Sequence, residues 1–143
     1  MPELQIAILE PIKVPLVSRL YKQYYPSGKA KKDELIITGE LDKQLVAVVR
    51  FRRIADYRLL TGMLVVPTHQ GQGLGHQLMQ HCQSHILENK DFCFAYTHLE
   101  GFYSQHGFVK LDAEQLPAEL KTLFIRYTDS GKKLTAMQFI DGE

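Results

Sequence analysis

A turn with three glycines at alternate positions, Gly71, Gly73 and Gly75, constrains this chain more than any other feature. It follows the apolar run 57–66, which is long enough for a buried strand, and it precedes an amphipathic stretch that begins near Leu74. Glycine adopts positive φ and lets a ligand approach the backbone closely. The first N–H groups of a helix have no intrahelical acceptor, and the helix dipole adds positive potential there. Strand, turn and helix together predict a site for a phosphate or pyrophosphate that needs no lysine.

Two common phosphate-binding motifs do not fit this turn. The P-loop of nucleotide triphosphatases requires a lysine directly after its last glycine, but His76 follows Gly75. The dinucleotide-binding motif requires Gly-x-Gly-x-x-Gly, yet its sixth position is His76 when counted from Gly71 and Leu78 when counted from Gly73. Both motifs are therefore excluded.

The spacing that does fit is Gln/Arg-x-x-Gly-x-Gly/Ala, and it resembles the acyl-CoA signature of the GNAT superfamily of N-acyltransferases. Seven positions are in register with that signature: Val65, Pro67, Gln70, Gly71, Gly73, Gly75 and Leu78. A second segment, Phe102–Phe108, is similar to the family's Phe-Tyr-x-x-x-Gly-Phe pattern. The resemblance is close over 35–109 and rests on element order alone toward the two ends.

The resemblance implies acetyl-CoA as co-substrate and a direct attack of an amine on its thioester. It implies a cleft between the strands that end near Val66 and Tyr96, with a backbone N–H near Val65 stabilising the oxyanion. Tyr103 matches the acid that protonates the departing thiolate, and a core aromatic is the structural alternative for it. The implied cofactor-binding residues are Leu64, Val65 and Val66 for pantetheine, Gln70, Gly71, Gln72, Gly73, Leu74 and Gly75 for the pyrophosphate, and Tyr103.

The acceptor side carries fewer signals. An ammonium must lose a proton before it attacks, so a base or a water relay is expected. Members of the family often have an acidic residue on or near the strand before the signature, where Asp56 and Thr61 stand here. His98 and Glu100 are the other candidates for the base, and ordinary loop residues are the alternative. Tyr96 replaces an asparagine that many members have.

The order of predicted elements is strand, helix, a three-strand meander, helix, strand, helix, strand, helix and strand. The predictions include a short polar hairpin turn at Asp42-Lys43, a helix from about Leu74 to Leu87, a strand over Asp91–Tyr96, and a short helix from Leu99 to His106 with Gly107 as its left-handed stop. This order predicts an α/β fold of the α+β type in one domain, 1–143, with a mixed sheet and helices on both faces. The resemblance implies a mostly antiparallel GNAT sheet splayed between two parallel strands. A homodimer and a monomer are both compatible with the sequence.

Composition narrows the class of partner. Lys and Arg number 17 against 16 Asp and Glu, so no net field favours nucleic acid or an anionic membrane. Cys82 and Cys93 cannot form a disulfide framework, and the start of the chain lacks a leader pattern, so we expect a cytoplasmic protein. His81 and His85 have ligand spacing on a helix, but no third ligand is evident, and we expect no metal.

A basic group in the first part of the chain allows two interpretations. Its members are Lys29, Lys31, Lys32, Arg50, Arg52 and Arg53. They are either solvated strand and loop charges or a clamp for an acidic acceptor or the 3′-phosphate of the cofactor. The tail, at Leu116-Pro117, Tyr127 and Lys133-Leu134, is loosely similar to bacterial domains that acetylate the α-amine of glutamate.

These observations predict an N-acetyltransferase that acts on a primary amine of a small metabolite, such as an amino acid or a polyamine. Two alternatives stay open at the level of sequence. One is transfer to a protein or peptide amine, and the other is an acetyl-CoA-binding regulatory module with little turnover.

Overall fold

The computed structural model of the protein describes residues 3–141, which form seven strands and four α-helices. The strands are β1 (Gln5–Ile8), β2 (Leu35–Leu41), β3 (Gln44–Ile54), β4 (Tyr57–Val65), β5 (Asp91–Tyr96), β6 (Phe108–Leu111) and β7 (Leu134–Phe139). The helices are α1 (Val14–Tyr24), α2 (Leu74–His85), α3 (Glu100–Ser104) and α4 (Ala118–Asp129). Short 3₁₀ turns occupy Pro11–Lys13, Pro67–His69, Thr97–Leu99 and Ala113–Gln115.

The strands form one mixed sheet in the order β1-β2-β3-β4-β5-β7-β6. β2 pairs antiparallel with β1 and β3, and β7 pairs antiparallel with β5 and β6. β4 and β5 are parallel, in the register Arg58↔Asp91 to Leu60↔Cys93. The predicted α/β class with a mostly antiparallel mixed sheet is therefore confirmed. Within residues 3–141, no helix is long and apolar enough to span a bilayer.

Packing divides the chain into two compact units. The amino-terminal unit comprises the described residues up to 52 together with 61–82, and the carboxyl-terminal unit comprises 53–60 together with 83–141. The prediction of one domain over 1–143 is not tested by this division and stays a prediction. Residues 1, 2, 142 and 143 of that range lie outside the described residues.

The core of the amino-terminal unit forms where α1 packs on the sheet. Val14, Val17 and Tyr21 recur at spacings of three and four, so they share one face of α1. That face is buried against Ile36 of β2 and Leu64 of β4. This packing fixes β4 just before the glycine turn.

The core of the carboxyl-terminal unit forms where α4 packs on the sheet. Leu120 and Leu123 of α4 are buried with Leu59 of β4, Phe92 of β5 and Ala136 of β7. Phe94 of β5 adds edge-to-face contacts with α4, its ring centroid lying 5.1 Å from that of Phe124. The core thereby anchors the segment from which α3 projects.

Most predicted elements agree with the structure to within one or two residues at each end, and two of the differences concern α2 and α3. The predicted helix from Leu74 to Leu87 ends at His85. The single short helix predicted over 99–106 is a 3₁₀ turn at Thr97–Leu99 followed by α3. Gly107 follows at φ +89°, as the predicted left-handed stop requires.

Candidate acyl-CoA site

The glycine turn has the backbone conformation that its sequence predicts. After β4, the 3₁₀ turn Pro67–His69 leads to Gly71 at φ +83° and Gly73 at φ +79°. A Cβ added at either glycine would meet no atom within 4 Å. Glycine is required here for backbone conformation and not for lack of space, so this side of the turn is open to a close-approaching group. A phosphate cradle needs that combination.

Helix α2 begins directly after the turn. Its first residue, Leu74, is buried, and Leu78 and Cys82 are buried on the same face. The N–H of Gln77 donates to the Gly73 carbonyl at 3.0 Å, so the hydrogen bonds of α2 start at the second positive-φ glycine of the turn. The first turn, Leu-Gly-His-Gln, contains no acidic side chain that would oppose a bound anion. The turn and the start of α2 fit a pyrophosphate.

The predicted pantetheine-binding backbone at the end of β4 is held by two hydrogen bonds. The Gln70 side-chain amide donates to the Val65 carbonyl at 2.9 Å. The N–H of Val66 donates to the Val46 carbonyl of β3, also at 2.9 Å. The bond from Gln70 closes the loop between the strand end and the turn.

Tyr103, the predicted acid, lies on α3 in the carboxyl-terminal unit and is 6% exposed. Its ring makes edge-to-face contacts with Phe102, at 5.1 Å between centroids, and with Phe108, at 5.9 Å. Both aromatic neighbours come from the Phe-Tyr-x-x-x-Gly-Phe segment itself. This segment therefore fixes the orientation of the phenol through its own packing.

The two predicted base candidates differ in how they are held. His98 is exposed and stacks on Tyr96, with 6.0 Å between ring centroids. Glu100 is half-buried, and its Oε2 accepts a hydrogen bond of 2.7 Å from the Thr135 hydroxyl of β7. Glu100 is thus held by a hydrogen bond to β7, whereas His98 is held by ring stacking.

Neither interpretation of the basic group is correct for Arg50, which is 6% exposed on β3. Its Nη1 donates to both carboxylate oxygens of Glu34, at 2.8 and 2.9 Å, so it is neither a solvated charge nor a clamp for a ligand. Burial alone would lower the pKa of this guanidinium, but Tyr21 and Glu34 more than offset that effect and raise the pKa. The sequence signal that could have indicated a buried ion pair is the position of Arg50, which follows four apolar residues at 46–49 and precedes Phe51.

No cluster of three or more His, Cys, Asp or Glu side chains suited to a metal ion occurs in the described part of the chain. His81 is half-buried and His85 is exposed on α2.

A family model described as an acetyltransferase (GNAT) domain matches residues 12–127. The chain belongs to the GNAT acetyltransferase family. The resemblance drawn from the two motifs is thereby confirmed. Among curated proteins, no sequence matches this chain.

Solved structures share the fold at low sequence identity. An N-acetylglutamate synthase from Neisseria gonorrhoeae, complexed with coenzyme A and N-acetyl-glutamate, is 17% identical with a TM-score of 0.65, and the match covers 97% of this chain and 36% of that one. Rv2747 from Mycobacterium tuberculosis, in complex with CoA, is 17% identical with a TM-score of 0.68 and coverages of 96% and 99%. The ribosomal-protein-S18-alanine N-acetyltransferase from Escherichia coli is 16% identical with a TM-score of 0.63 and coverages of 99% and 97%. This chain spans about a third of the length of the N-acetylglutamate synthase.

Proposed function

We propose that this GNAT protein transfers the acetyl group of acetyl-CoA to a primary amine of a small metabolite, such as an amino acid or a polyamine, in a ternary complex. The observation that carries the proposal is the glycine turn, with Gly71 and Gly73 at positive φ and open space beside both, leading directly into α2. Two CoA-bound structures with the same fold support acetyl-CoA as the co-substrate.

In the proposed reaction, backbone N–H groups of the turn and of the start of α2 bind the pyrophosphate. The deprotonated amine attacks the thioester carbonyl carbon, and a backbone N–H near Val65 stabilises the resulting oxyanion. The C–S bond then breaks as Tyr103 gives its proton to the leaving sulfur. The nitrogen loses its extra proton, which restores the Tyr103 phenol, so the products are the N-acetyl amide and the CoA thiol. A phenol of pKa about 10 can protonate a thiolate whose conjugate acid has a pKa of about 8.5 with a small uphill step.

Glu100 is the stronger candidate for the base that accepts the proton of the ammonium. The Thr135 hydroxyl fixes its carboxylate, whereas His98 is exposed and held by ring stacking. If Glu100 is the base, Glu100→Gln lowers turnover much more than His98→Gln does, with acetyl-CoA binding retained in both variants. The opposite pattern would assign the base to His98.

The acceptor is tested with a panel of amino acids, polyamines and peptides, with release of the CoA thiol as the readout. The panel includes L-glutamate because the tail resembles glutamate-acetylating domains, and a peptide with N-terminal alanine because a structural neighbour acts on a protein alanine. Turnover with small amines and not with peptides supports the proposal. Turnover confined to peptides would replace it with protein acetylation.

The compartment proposed is the cytoplasm. Cys82 and Cys93 are both buried and are not joined in a disulfide, which agrees with a reducing environment.

A further inference from the structure

Gly62 interrupts the middle of β4 with a left-handed backbone, at φ +66°. A Cβ at this position would lie 2.5 Å from the Tyr21 hydroxyl and 2.7 Å from Nε of Arg50. Here, unlike in the glycine turn, a side chain is excluded by both conformation and contact. Glycine inside a strand typically marks a bulge or a close approach of other groups, and the groups that approach here are polar.

The Tyr21 hydroxyl donates a hydrogen bond of 2.6 Å to the Gly62 carbonyl. The Tyr21 oxygen accepts from Nε of Arg50 at 3.1 Å, so the same oxygen both donates and accepts. Nη1 of Arg50 is held by the Glu34 carboxylate and by the Lys29 carbonyl, the latter at 2.5 Å. We call Glu34, Arg50 and Tyr21 the buried triad.

The buried triad is fully satisfied. Within residues 3–141, no buried side-chain nitrogen or oxygen lacks a hydrogen-bond partner. Burial raises the pKa of Tyr21 to about 12, in spite of the opposing charge of Arg50, so the hydroxyl keeps its proton at any working pH. Because the hydroxyl is protonated near neutral pH and the guanidinium is paired, Tyr21 is a rigid hydrogen-bond donor to the Gly62 carbonyl.

The direction of this carbonyl matters because Gly62 lies two residues before Leu64, where the proposed pantetheine-binding backbone begins. A peptide group is planar, so fixing the Gly62 carbonyl fixes the N–H of Met63 as well. Leu64 is buried in the same core cluster as Tyr21.

We propose that Tyr21, held by Arg50 and Glu34, is a positioning residue: its hydroxyl sets the backbone of β4 from Gly62 onward for pairing with the pantetheine arm of acyl-CoA. This proposal rests on the proposed function and assigns to the buried triad a role in the thioester end of the cofactor site. The nucleotide end, at the glycine turn, does not depend on it.

The test compares two ligands in Tyr21→Phe, which keeps the ring and removes the hydroxyl. Acetyl-CoA reaches the β4 backbone, whereas 3′-phosphoadenosine 5′-diphosphate ends at the pyrophosphate. Calorimetric titration is expected to show acetyl-CoA binding weakened roughly fivefold to tenfold, the effect of one lost hydrogen bond, with the nucleotide fragment bound as in the wild type. Equal weakening of both ligands, or of neither, overturns the proposal.

Ile37→Val is the matched control, because Ile37 is fully buried on β2 and is not part of the buried triad. It tests whether a modest loss of stability alone weakens acetyl-CoA binding. If Ile37→Val weakens acetyl-CoA binding relative to binding of the nucleotide fragment as much as Tyr21→Phe does, the proposal is overturned.

Amide hydrogen exchange separates this inference from the proposed function, because it needs no ligand. In Tyr21→Phe, the amides of 63–65 are expected to exchange at least tenfold faster relative to the rest of β3 and β4. Exchange that rises uniformly contradicts the positioning role. If the wild-type protein binds neither ligand, the proposed function is contradicted. The exchange result still decides whether the Tyr21 hydroxyl restrains the backbone of β4.

Discussion

Replacing Gly73 by alanine tests the glycine turn most sharply. Gly73 lies at φ +79°, and an added Cβ meets no protein atom within 4 Å. A residue other than glycine in this left-handed region costs roughly 1–2 kcal/mol. The same Cβ also occupies the open space in which we propose that the pyrophosphate approaches the backbone. We therefore expect Gly73→Ala to lose about 1–2 kcal/mol of stability and to bind acetyl-CoA at least about tenfold more weakly.

Gly131→Ala is the matched control for this experiment. Gly131 follows α4 at φ +105°, and a Cβ there also meets nothing within 4 Å. The two variants therefore carry the same kind of backbone strain, but only one alters the turn. Denaturant unfolding should show a similar loss in both, and calorimetric titration with acetyl-CoA should show a loss in Gly73→Ala alone. Equal affinity in the two variants would refute the assignment of the turn.

Four further predictions follow from individual side chains. Tyr103→Phe should lower turnover by roughly 10²–10⁴ while acetyl-CoA binding is retained, and unchanged steady-state turnover would remove Tyr103 as the acid. Because the pKa of Tyr21 is about 12 in the folded state and 10.0 is its ordinary value, the folded state holds a proton that the unfolded state loses. Stability should thus fall as pH rises from 10 to 12, by about 2 kcal/mol, and denaturant unfolding of Tyr21→Phe should lack this part of the decline. Arg50→Met leaves the Glu34 carboxylate buried without its partner and should cost about 3–5 kcal/mol, part of which Glu34→Gln recovers in the double variant; additive losses would contradict the ion pair. Gly101→Ala, on α3 with open space at its Cβ, should raise the thermal midpoint through a gain of roughly 0.5–1 kcal/mol, and a fall would show that α3 needs glycine there.

Local sequence patterns predicted most of the elements of the fold. The bounds predicted for β5, Asp91–Tyr96, are those observed, because a short apolar run between polar residues has few alternatives. The turn at Asp42 and Lys43 was predicted from its polar residues, and both adopt positive φ, as a two-residue hairpin requires. Helix ends were less predictable: α2 ends at His85 and not Leu87, since apolar spacing continues past the last hydrogen-bonded turn.

Long-range pairing explains what the sequence did not reveal. Arg50 pairs with Glu34, 16 residues earlier, and with Tyr21, 29 residues earlier. A hydrogen bond between side chains that distant has no periodic signature, so only the oddity of a charge inside an apolar strand pointed to it. The opposite holds for the glycine turn, whose residues are contiguous and whose conformation each glycine dictates locally.

Thermal unfolding with and without acetyl-CoA tests the central claim, acetyl-CoA binding by this chain, most directly. At a ligand concentration of 100 times Kd, binding to the folded state alone adds about 2.7 kcal/mol to the free energy of unfolding. For a chain of this length, the midpoint should rise by roughly 5–11 °C. An unchanged midpoint at millimolar acetyl-CoA would contradict the account.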